Sequence, residues 1–156
     1  MAKTTQTGLL QKLLGRFIKR PAKHLRTGIW GENVTVREMQ RIGLEILRKN
    51  YRVHGIGEID IIARDGNCLV FVEVKTRAFG QTGRPALAIN REKRRKLWRT
   101  AQYFMKRLGK CQPRFRFDVA EVIYKSRFSY EVLYLPNTFS RHIEQKQKSS
   151  SRVIET

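Results

Sequence analysis

Acidic residues are scarce in this chain of 156 residues, which has 13 Asp and Glu against 33 Lys and Arg and a formal net charge of +20. An imbalance of this size tells more about the partners of a protein than about its fold. It predicts a polyanionic partner, with nucleic acid first and an anionic membrane second. The alternative is a basic surface that contacts only water.

Cysteine is nearly absent too. Cys68 and Cys111 form no C-x-x-C pair and have no histidine nearby, which excludes a disulfide framework and a cysteine-rich zinc site. A reducing cytoplasm is the compartment that this composition favours. The longest apolar run, Leu69 to Val72, has the length of a strand, so no membrane span is expected. The Gly-rich fingerprint of a dinucleotide fold is also missing, and we expect no small-molecule cofactor.

Charge and hydropathy divide the chain into three segments. Residues 1–27 are basic without a single acid, and their apolar residues recur at helical spacing, which predicts an amphipathic helix that ends at Pro21. This helix could lie on a membrane or a partner protein, resemble an organellar transit helix, or cover an apolar patch of its own domain. Residues 28–139 are predicted to form the core domain. Residues 140–156 are polar, serine-rich and basic, as in a disordered tail.

The core domain is predicted to be a mixed sheet with helices packed on it. A first helix is expected over residues 31–47, with Gly43 as a point where it bends or stops, followed by a short strand from Tyr51 to His54. The remaining predicted elements are a hairpin of strands 58–64 and 68–76, a helix over 90–108 with Asn90 as its N-cap, and strands at 114–124 and 130–135, the last stopped by Pro136.

Charged side chains interrupt the two most apolar predicted strands. Asp60 lies on the first, and Glu73 and Lys75 lie on the second. A buried carboxylate is costly unless it is paired, hydrogen-bonded or bound to a metal. A turn at Gly66-Asn67 pairs Asp60 directly with Glu73, and a turn at Asp65-Gly66 makes them diagonal neighbours. Both registers place the three charged side chains on one face.

This arrangement predicts a metal-dependent phosphodiesterase. Carboxylates on neighbouring strands can converge on one cation, and oxygen ligands without thiolate or imidazole favour Mg²⁺ or Mn²⁺. Lys75 would activate a water or stabilise the charge of the transition state. The alternative is a structural ion pair. Glu32 is a further candidate, although a carboxylate at the start of a helix also favours the helix dipole. Glu58 is either a supporting acid or an exposed residue at the strand end.

The chain resembles the bacterial YraN family over about residues 28–139. The resemblance rests on Gly31-Glu32, on Gly57-Glu58-Ile59-Asp60-Ile61-Ile62-Ala63, on Val70-Phe71-Val72-Glu73-Val74-Lys75-Thr76-Arg77 and on Arg116-Phe117-Asp118-Val119. That family is similar to the PD-(D/E)XK nucleases and, among them, to archaeal Holliday-junction resolvases. The implied fold is α/β and restriction-endonuclease-like, with a mixed central sheet flanked by helices.

The resemblance also implies roles for individual residues. Glu32 would be the helix acid, Asp60 and Glu73 the metal ligands together with the Val74 carbonyl, and Lys75 the catalytic lysine. The implied activity is Mg²⁺- or Mn²⁺-dependent hydrolysis of DNA, including branched DNA. Dimerisation is expected by analogy with the resolvases, since two strands must be cut.

Basic residues after the catalytic strand and along the 90–108 helix are candidates for phosphate contacts, which position nucleic acid without reading its sequence. They are Arg77, Arg84, Arg91, Arg95, Arg99 and Lys106. Trp30 and Trp98 are expected to be core or half-buried, with stacking on bases as the alternative. Three alternatives to a deoxyribonuclease stay open: an RNA substrate, a noncatalytic nucleic-acid-binding protein that retains the nuclease fold, and a membrane-surface or scaffold protein that acts through residues 1–27.

Overall fold

The computed structural model describes residues 23–81, 89–109 and 113–139. The elements in these residues are α1 (Lys23–Arg41), β1 (Glu45–Val53), β2 (Gly57–Asp65), β3 (Cys68–Ala78), α2 (Arg91–Lys106), β4 (Arg114–Tyr124) and β5 (Tyr130–Phe139). The amphipathic helix predicted within residues 1–27, the tail at 140–156 and Arg84 all lie outside the described residues. None of the described helices is both long and apolar enough to cross a membrane.

The strands form one five-stranded sheet in the order β1-β2-β3-β4-β5. The β3 and β4 strands are parallel, and the other neighbours are antiparallel. The mixed α/β architecture is therefore confirmed, and it is compatible with a restriction-endonuclease-like fold. The hairpin, the second helix with its N-cap and the fourth strand appear close to their predicted positions.

Each face of the sheet is covered by one helix. On one face, Leu97 of α2 packs in a core that contains Ile62 and Phe71. On the other face, Met39 of α1 packs in a core that contains Ile61 and Val72. Successive strand residues point to opposite faces, so a strand covered on both sides is apolar at nearly every position. A charged residue in such a strand is consequently exceptional.

The first helix differs from its prediction over residues 31–47. It begins at Lys23 and ends at Arg41. Gly43 adopts a φ of +91°, and the Leu44 amide donates 2.9 Å to the carbonyl of Met39, as in the glycine-ended helix terminus known as the Schellman motif. The segment after the turn is β1, which begins at Glu45 rather than at Tyr51. Apolar spacing alone did not separate the end of this helix from the following strand.

The last strand does not stop at Pro136. It continues to Phe139, with a shift in its pairing with β4 between Phe117 and Val119. Proline is tolerated there because β5 is an edge strand and its register is irregular at this point. The irregularity lets the Asn137 amide donate 2.8 Å to the carboxylate of Asp118.

Asp118 is one of the residues on which the family resemblance rests, and it lies in the interior of the sheet. Its carboxylate is fully buried and accepts hydrogen bonds from Arg116 at 3.0 Å and from the Tyr134 hydroxyl at 2.7 Å. Arg116 also bridges to Asp65 at 2.8 Å. Burial raises the pKa of Tyr134, and its hydrogen bond to Asp118 acts in the same direction. Asp118 therefore joins β4 to β5 and serves the fold.

Candidate active site

The β2–β3 hairpin sets the relative position of the two strand acids. Asp65 pairs with Cys68, so the turn consists of Gly66 and Asn67, the register that places Asp60 directly opposite Glu73. Pairing ends one position earlier, at Ile61 and Val72. Beyond that point, the carboxylate of Asp60 accepts a 2.7 Å hydrogen bond from the Val74 amide. The strands therefore separate at the acids, and the sheet opens there.

Glu73 is the most buried acid of the opening, with 3% of its side chain exposed. The ammonium of Lys75 lies 2.7 Å from its Oε1 atom. Residues two apart on a strand share a face, which is why these two side chains meet. Lys75 itself remains 47% exposed, so its charge also faces the solvent of the opening.

Lys93 belongs to the site, although the sequence did not lead us to assign it there. Its ammonium lies 3.0 Å from Oε2 of Glu73, opposite Lys75. The cap of α2 orients it, since the Lys93 amide donates 2.8 Å to the side chain of Asn90. Burial acts to lower the pKa of Lys93, but the charge of Glu73 and its hydrogen bond raise the pKa overall. A lysine in the first turn of a helix is unfavourable, because the helix dipole places partial positive charge there. Its presence in the sequence was therefore a signal that an acid nearby compensates it.

Asp60 has a strongly perturbed pKa. Burial raises it to about 7, and the negative charges of Glu73 and Glu32 act in the same direction. The hydrogen bond from Val74 and the positive charge of Lys93 oppose the rise. The ionised form of Asp60 is thus short of positive charge around it, and a cation at this position would stabilise that form.

Glu32 reaches the opening from α1. Because α1 begins at Lys23, more than two turns earlier, the interpretation of Glu32 as a residue at the helix start is wrong. Its Oε2 atom is buried and has no hydrogen-bond partner among the described residues. The neighbouring Gly31 allows this approach, since a Cβ atom there would lie 1.9 Å from Oγ1 of Thr76 on β3.

These side chains surround an open cleft of about 720 Å³. Glu32, Asp60, Glu73, Val74 and Lys75, the predicted catalytic and metal-binding residues, all line it. The other lining residues are His24, Thr27, Gly28, Glu58, Thr76, Arg77, Gln81, Lys93 and Tyr124. Glu58 forms an ion pair with Arg52, with 2.6 Å between Nε and Oε2, and 43% of its side chain is exposed. It lines the cleft and is exposed at the strand end, so both of its predicted roles stay open.

The predicted phosphate-binding residues are distributed unequally. Arg77 lines the cleft, but its guanidinium forms an ion pair of 2.5 Å with the buried Glu121, so its charge is largely compensated. The other described candidates are exposed on α2: Arg91, Arg95, Arg99 and Lys106.

The donor set fits a hard divalent cation. Asp60 and Glu73 supply carboxylate oxygens, and oxygen is the ligand atom that Mg²⁺ and Mn²⁺ prefer. Val74 lines the same cleft, and its backbone carbonyl would be the further donor that the family resemblance implies. The raised pKa of Asp60 and the unpartnered oxygen of Glu32 both indicate room for positive charge. No group of three or more Asp, Glu, His or Cys side chains within the described ranges is spaced to hold a metal ion.

Comparison with known proteins places this site within a family. The model of the uncharacterised protein family UPF0102 matches residues 31–122, which contain every predicted catalytic and metal-binding residue. A UPF0102 protein of Clostridium botulinum (strain Kyoto / Type A2) is 44% identical over 114 residues, or 72% of this chain and 92% of that protein. A UPF0102 protein of Geobacter metallireducens is 38% identical over 112 residues, or 72% of this chain and 90% of that protein.

A third relative, a UPF0102 protein of Caldicellulosiruptor saccharolyticus, is 47% identical over 92 residues, which is 59% of this chain and 77% of that protein. YraN proteins are the UPF0102 family, so this part of the resemblance is confirmed, whereas the relation to nucleases stays a prediction. Because the family model covers more than half of the chain and the relatives align over most of their own length, the chain belongs to the UPF0102 family.

Proposed function

We propose that this protein is a divalent-metal-dependent nuclease that hydrolyses phosphodiester bonds in DNA. One observation carries the proposal: the buried Glu73 lies between the ammonium groups of Lys75 and Lys93, beside Asp60, in an open cleft. Ionic clusters of this kind stabilise a fold poorly compared with apolar packing. Titratable groups with perturbed pKa values in a cleft are instead typical of catalytic sites.

The positive charge of the protein supports a polyanionic substrate. Arg91, Arg95 and Arg99 recur every four residues along α2, so they form one exposed row on the helix that also carries Lys93. Lys93 lies roughly half a turn away around the helix, so the row does not line the cleft, and it would contact the phosphates of a strand that runs past the cleft. The net charge of +20 adds long-range attraction.

Asp60, Glu73 and the Val74 carbonyl would hold the metal ion. When bound, Mg²⁺ or Mn²⁺ supplies polarisation of the scissile phosphate and lowers the pKa of a coordinated water. Lys75, which is anchored on Glu73 and half-exposed, holds positive charge where negative charge develops on the phosphate. Lys93 is only 28% exposed and contacts the other oxygen of Glu73, so it orients that carboxylate.

A cleavage assay tests the proposal. Linear, flapped and four-way DNA would be incubated with Mg²⁺ or Mn²⁺ and the wild-type protein, Asp60→Ala or Lys75→Ala. We expect cation-dependent cleavage by the wild type and none by either variant. Glu45→Ala is the matched control, because Glu45 is an exposed carboxylate paired with Arg64 on β1 and β2. Undiminished cleavage by either cleft variant would overturn the assignment. Asp60→Asn and Lys75→Met repeat the test with a smaller change of side-chain size.

A noncatalytic nucleic-acid-binding protein is the second candidate. It is favoured by the fact that both oxygens of Glu73 already face an ammonium group, which compensates that carboxylate without a cation. This function predicts binding that does not depend on Mg²⁺, with no cleavage of DNA or RNA of any shape.

The predicted homodimer is tested separately. Light scattering of the protein alone would measure its mass in solution.

A further inference from the structure

A second cavity of about 530 Å³ lies beside the candidate active site. It is lined by Arg26, Thr27, Trp30, Tyr124, Ser126 and Arg127. Thr27 and Tyr124 also line the first cleft, so the two cavities are neighbours with a shared wall. A ligand bound in one cavity is therefore close to the other.

Aromatic rings dominate this region. The Trp30 ring meets Tyr124 and Tyr130 edge-on, at centroid distances of 5.6 and 5.4 Å. Phe79 is 63% exposed and adjoins the cavity wall, since its amide donates 2.8 Å to the carbonyl of Tyr124. Phe128, in the β4–β5 loop next to Arg127, is 98% exposed. Two exposed phenylalanines next to residues that line a cavity indicate a surface that binds a partner or ligand.

The charge of the same region is positive. Arg26 and Arg127 line the cavity, none of its lining residues is acidic, and the ammonium of Lys125 lies 4.3 Å from the centroid of the Phe79 ring. Flat apolar rings interleaved with cations match a ligand that combines flat rings with negative charge. An unpaired nucleic-acid strand has this chemistry, since bases stack on aromatic side chains while phosphates meet arginine and lysine.

The second cavity lies at a short distance from the acids of the candidate active site. Phe79 follows β3 directly, so roughly 20 Å of nearly extended chain separates it from Glu73. A strand of a few nucleotides spans such a distance. Base-paired duplex could contact the exposed row on α2 through its phosphates, but its base faces are stacked inside the helix and unavailable to Phe79 or Phe128.

We infer that the surface formed by Trp30, Phe79, Tyr124, Arg127 and Phe128 binds unpaired nucleotides next to the scissile phosphate. The substrate class is then nucleic acid with a single-stranded segment. This inference rests on the proposed nuclease function for its reference to a scissile phosphate, but the surface itself can be tested by binding alone.

Binding is measured by fluorescence anisotropy in an Asp60→Asn background, with a 20-nucleotide oligothymidylate and a 20-base-pair duplex at one salt concentration. We expect Phe128→Ala to weaken oligothymidylate binding roughly fivefold or more, as the removal of one base stack requires, and to change duplex binding less than twofold. Phe79→Ala should act likewise, and Phe128→Trp should restore the affinity. Tyr103→Ala is the matched control, because Tyr103 is a 41% exposed aromatic on α2 that lines neither cavity.

Equal losses on single-stranded and duplex DNA, or unchanged binding in both phenylalanine variants, would overturn the inference. A cleavage assay with Mg²⁺ keeps the two proposals apart. If no nucleic acid is cut, the nuclease proposal fails while the binding comparison still decides this one. If linear duplex and flapped DNA are cut equally, and Phe128→Ala cuts both as the wild type does, the nuclease proposal survives and this inference fails.

Discussion

The main-chain amide of Val74 donates a 2.7 Å hydrogen bond to the side chain of Asp60, at the position where β2 and β3 stop pairing. An unpaired amide in the sheet interior would be costly, and the carboxylate satisfies it. The same bond holds Asp60 toward Glu73, although their like charges repel. The opening of the sheet and the orientation of the acid thus have one cause.

The pH dependence of stability should report the burial of Asp60. Its pKa is about 7 in the folded chain against an ordinary value of 3.8, so between these values the folded state keeps a proton that the unfolded state has released. Stability therefore falls as pH rises from about 4 to 7. Asp60→Asn carries no charge at this position, so it should raise Tm at pH 8 by about 3 °C or more. It should also make stability less dependent on pH between about 4 and 7. Thermal melts without divalent cations measure both effects.

Glu45→Gln provides the comparison for Asp60→Asn, because Glu45 is 56% exposed and should leave the profile unchanged. If Asp60 and Glu73 hold a metal ion as proposed, Mg²⁺ should recover part of the stability that the wild type loses above pH 7, since the cation would bind the ionised carboxylates of the folded state. A wild-type profile that rises steadily from pH 4 to 8 would contradict the burial of an uncompensated charge at Asp60.

Lys93→Met should separate metal affinity from turnover. Removal of the ammonium 3.0 Å from Glu73 relieves repulsion of a bound cation, so Mg²⁺ should bind about tenfold more tightly, on the order of 1.4 kcal/mol. The carboxylate would lose its orientation, and kcat at saturating Mg²⁺ should fall about tenfold or more. Calorimetric titration and a cleavage assay measure the two quantities.

Lys96→Met is the matched change for Lys93→Met. Lys96 lies on the same helix and pairs at 2.8 Å with the exposed Glu92, outside the residues that line the cleft. Lys96→Met should change neither the Mg²⁺ affinity nor kcat by more than about twofold. If Mg²⁺ affinity fell in Lys93→Met, the lysine would be supporting the metal site rather than competing with it.

Gly31→Ala should destabilise the fold by about 1–3 kcal/mol, because the new methyl group would overlap Thr76 on β3. Gly28→Ala is the matched control in the same helix. A Cβ at Gly28 has no atom within 4 Å, and alanine is the better helix former, so this change should stabilise by up to about 1 kcal/mol. Urea unfolding measures both variants.

Thr76→Ala in the Gly31→Ala background should recover part of the stability, since it removes the overlapping hydroxyl and methyl groups. If Gly31→Ala were as stable as Gly28→Ala, the close approach of α1 to β3 would be incorrect, and with it the route by which Glu32 reaches the cleft.

The arginine row on α2 should determine the salt dependence of DNA binding. Arg95→Gln with Arg99→Gln removes two exposed charges. The slope of log affinity against log salt should therefore become shallower by about 0.9 for each duplex phosphate that the variant no longer neutralises. Arg37→Gln, an exposed change toward the far end of α1, should leave the slope unchanged. Identical slopes for the double variant and the wild type would remove this row from the interface.

Much of the fold was predictable because its signals are local. The apolar run of β3, the alternation of β4, the turn at Gly66-Asn67 and the Asn90 cap depend on neighbours within a few residues. The predictions failed at Pro136 and at both ends of the first helix. In the first case the edge position of β5 decided the outcome, and a single sequence does not reveal which strand lies at an edge.

Sequence alone predicted that Asp60, Glu73 and Lys75 would lie together, from strand parity and the hairpin turn, and all three line one cleft. Tertiary structure decided what surrounds them. Lys93 reaches Glu73 only because α2 packs with its N-terminus over the opening, and Glu32 approaches only because Gly31 lets α1 lie close to β3. Periodicity places a side chain on a face of its own element, whereas contacts between elements depend on how their faces pack in space.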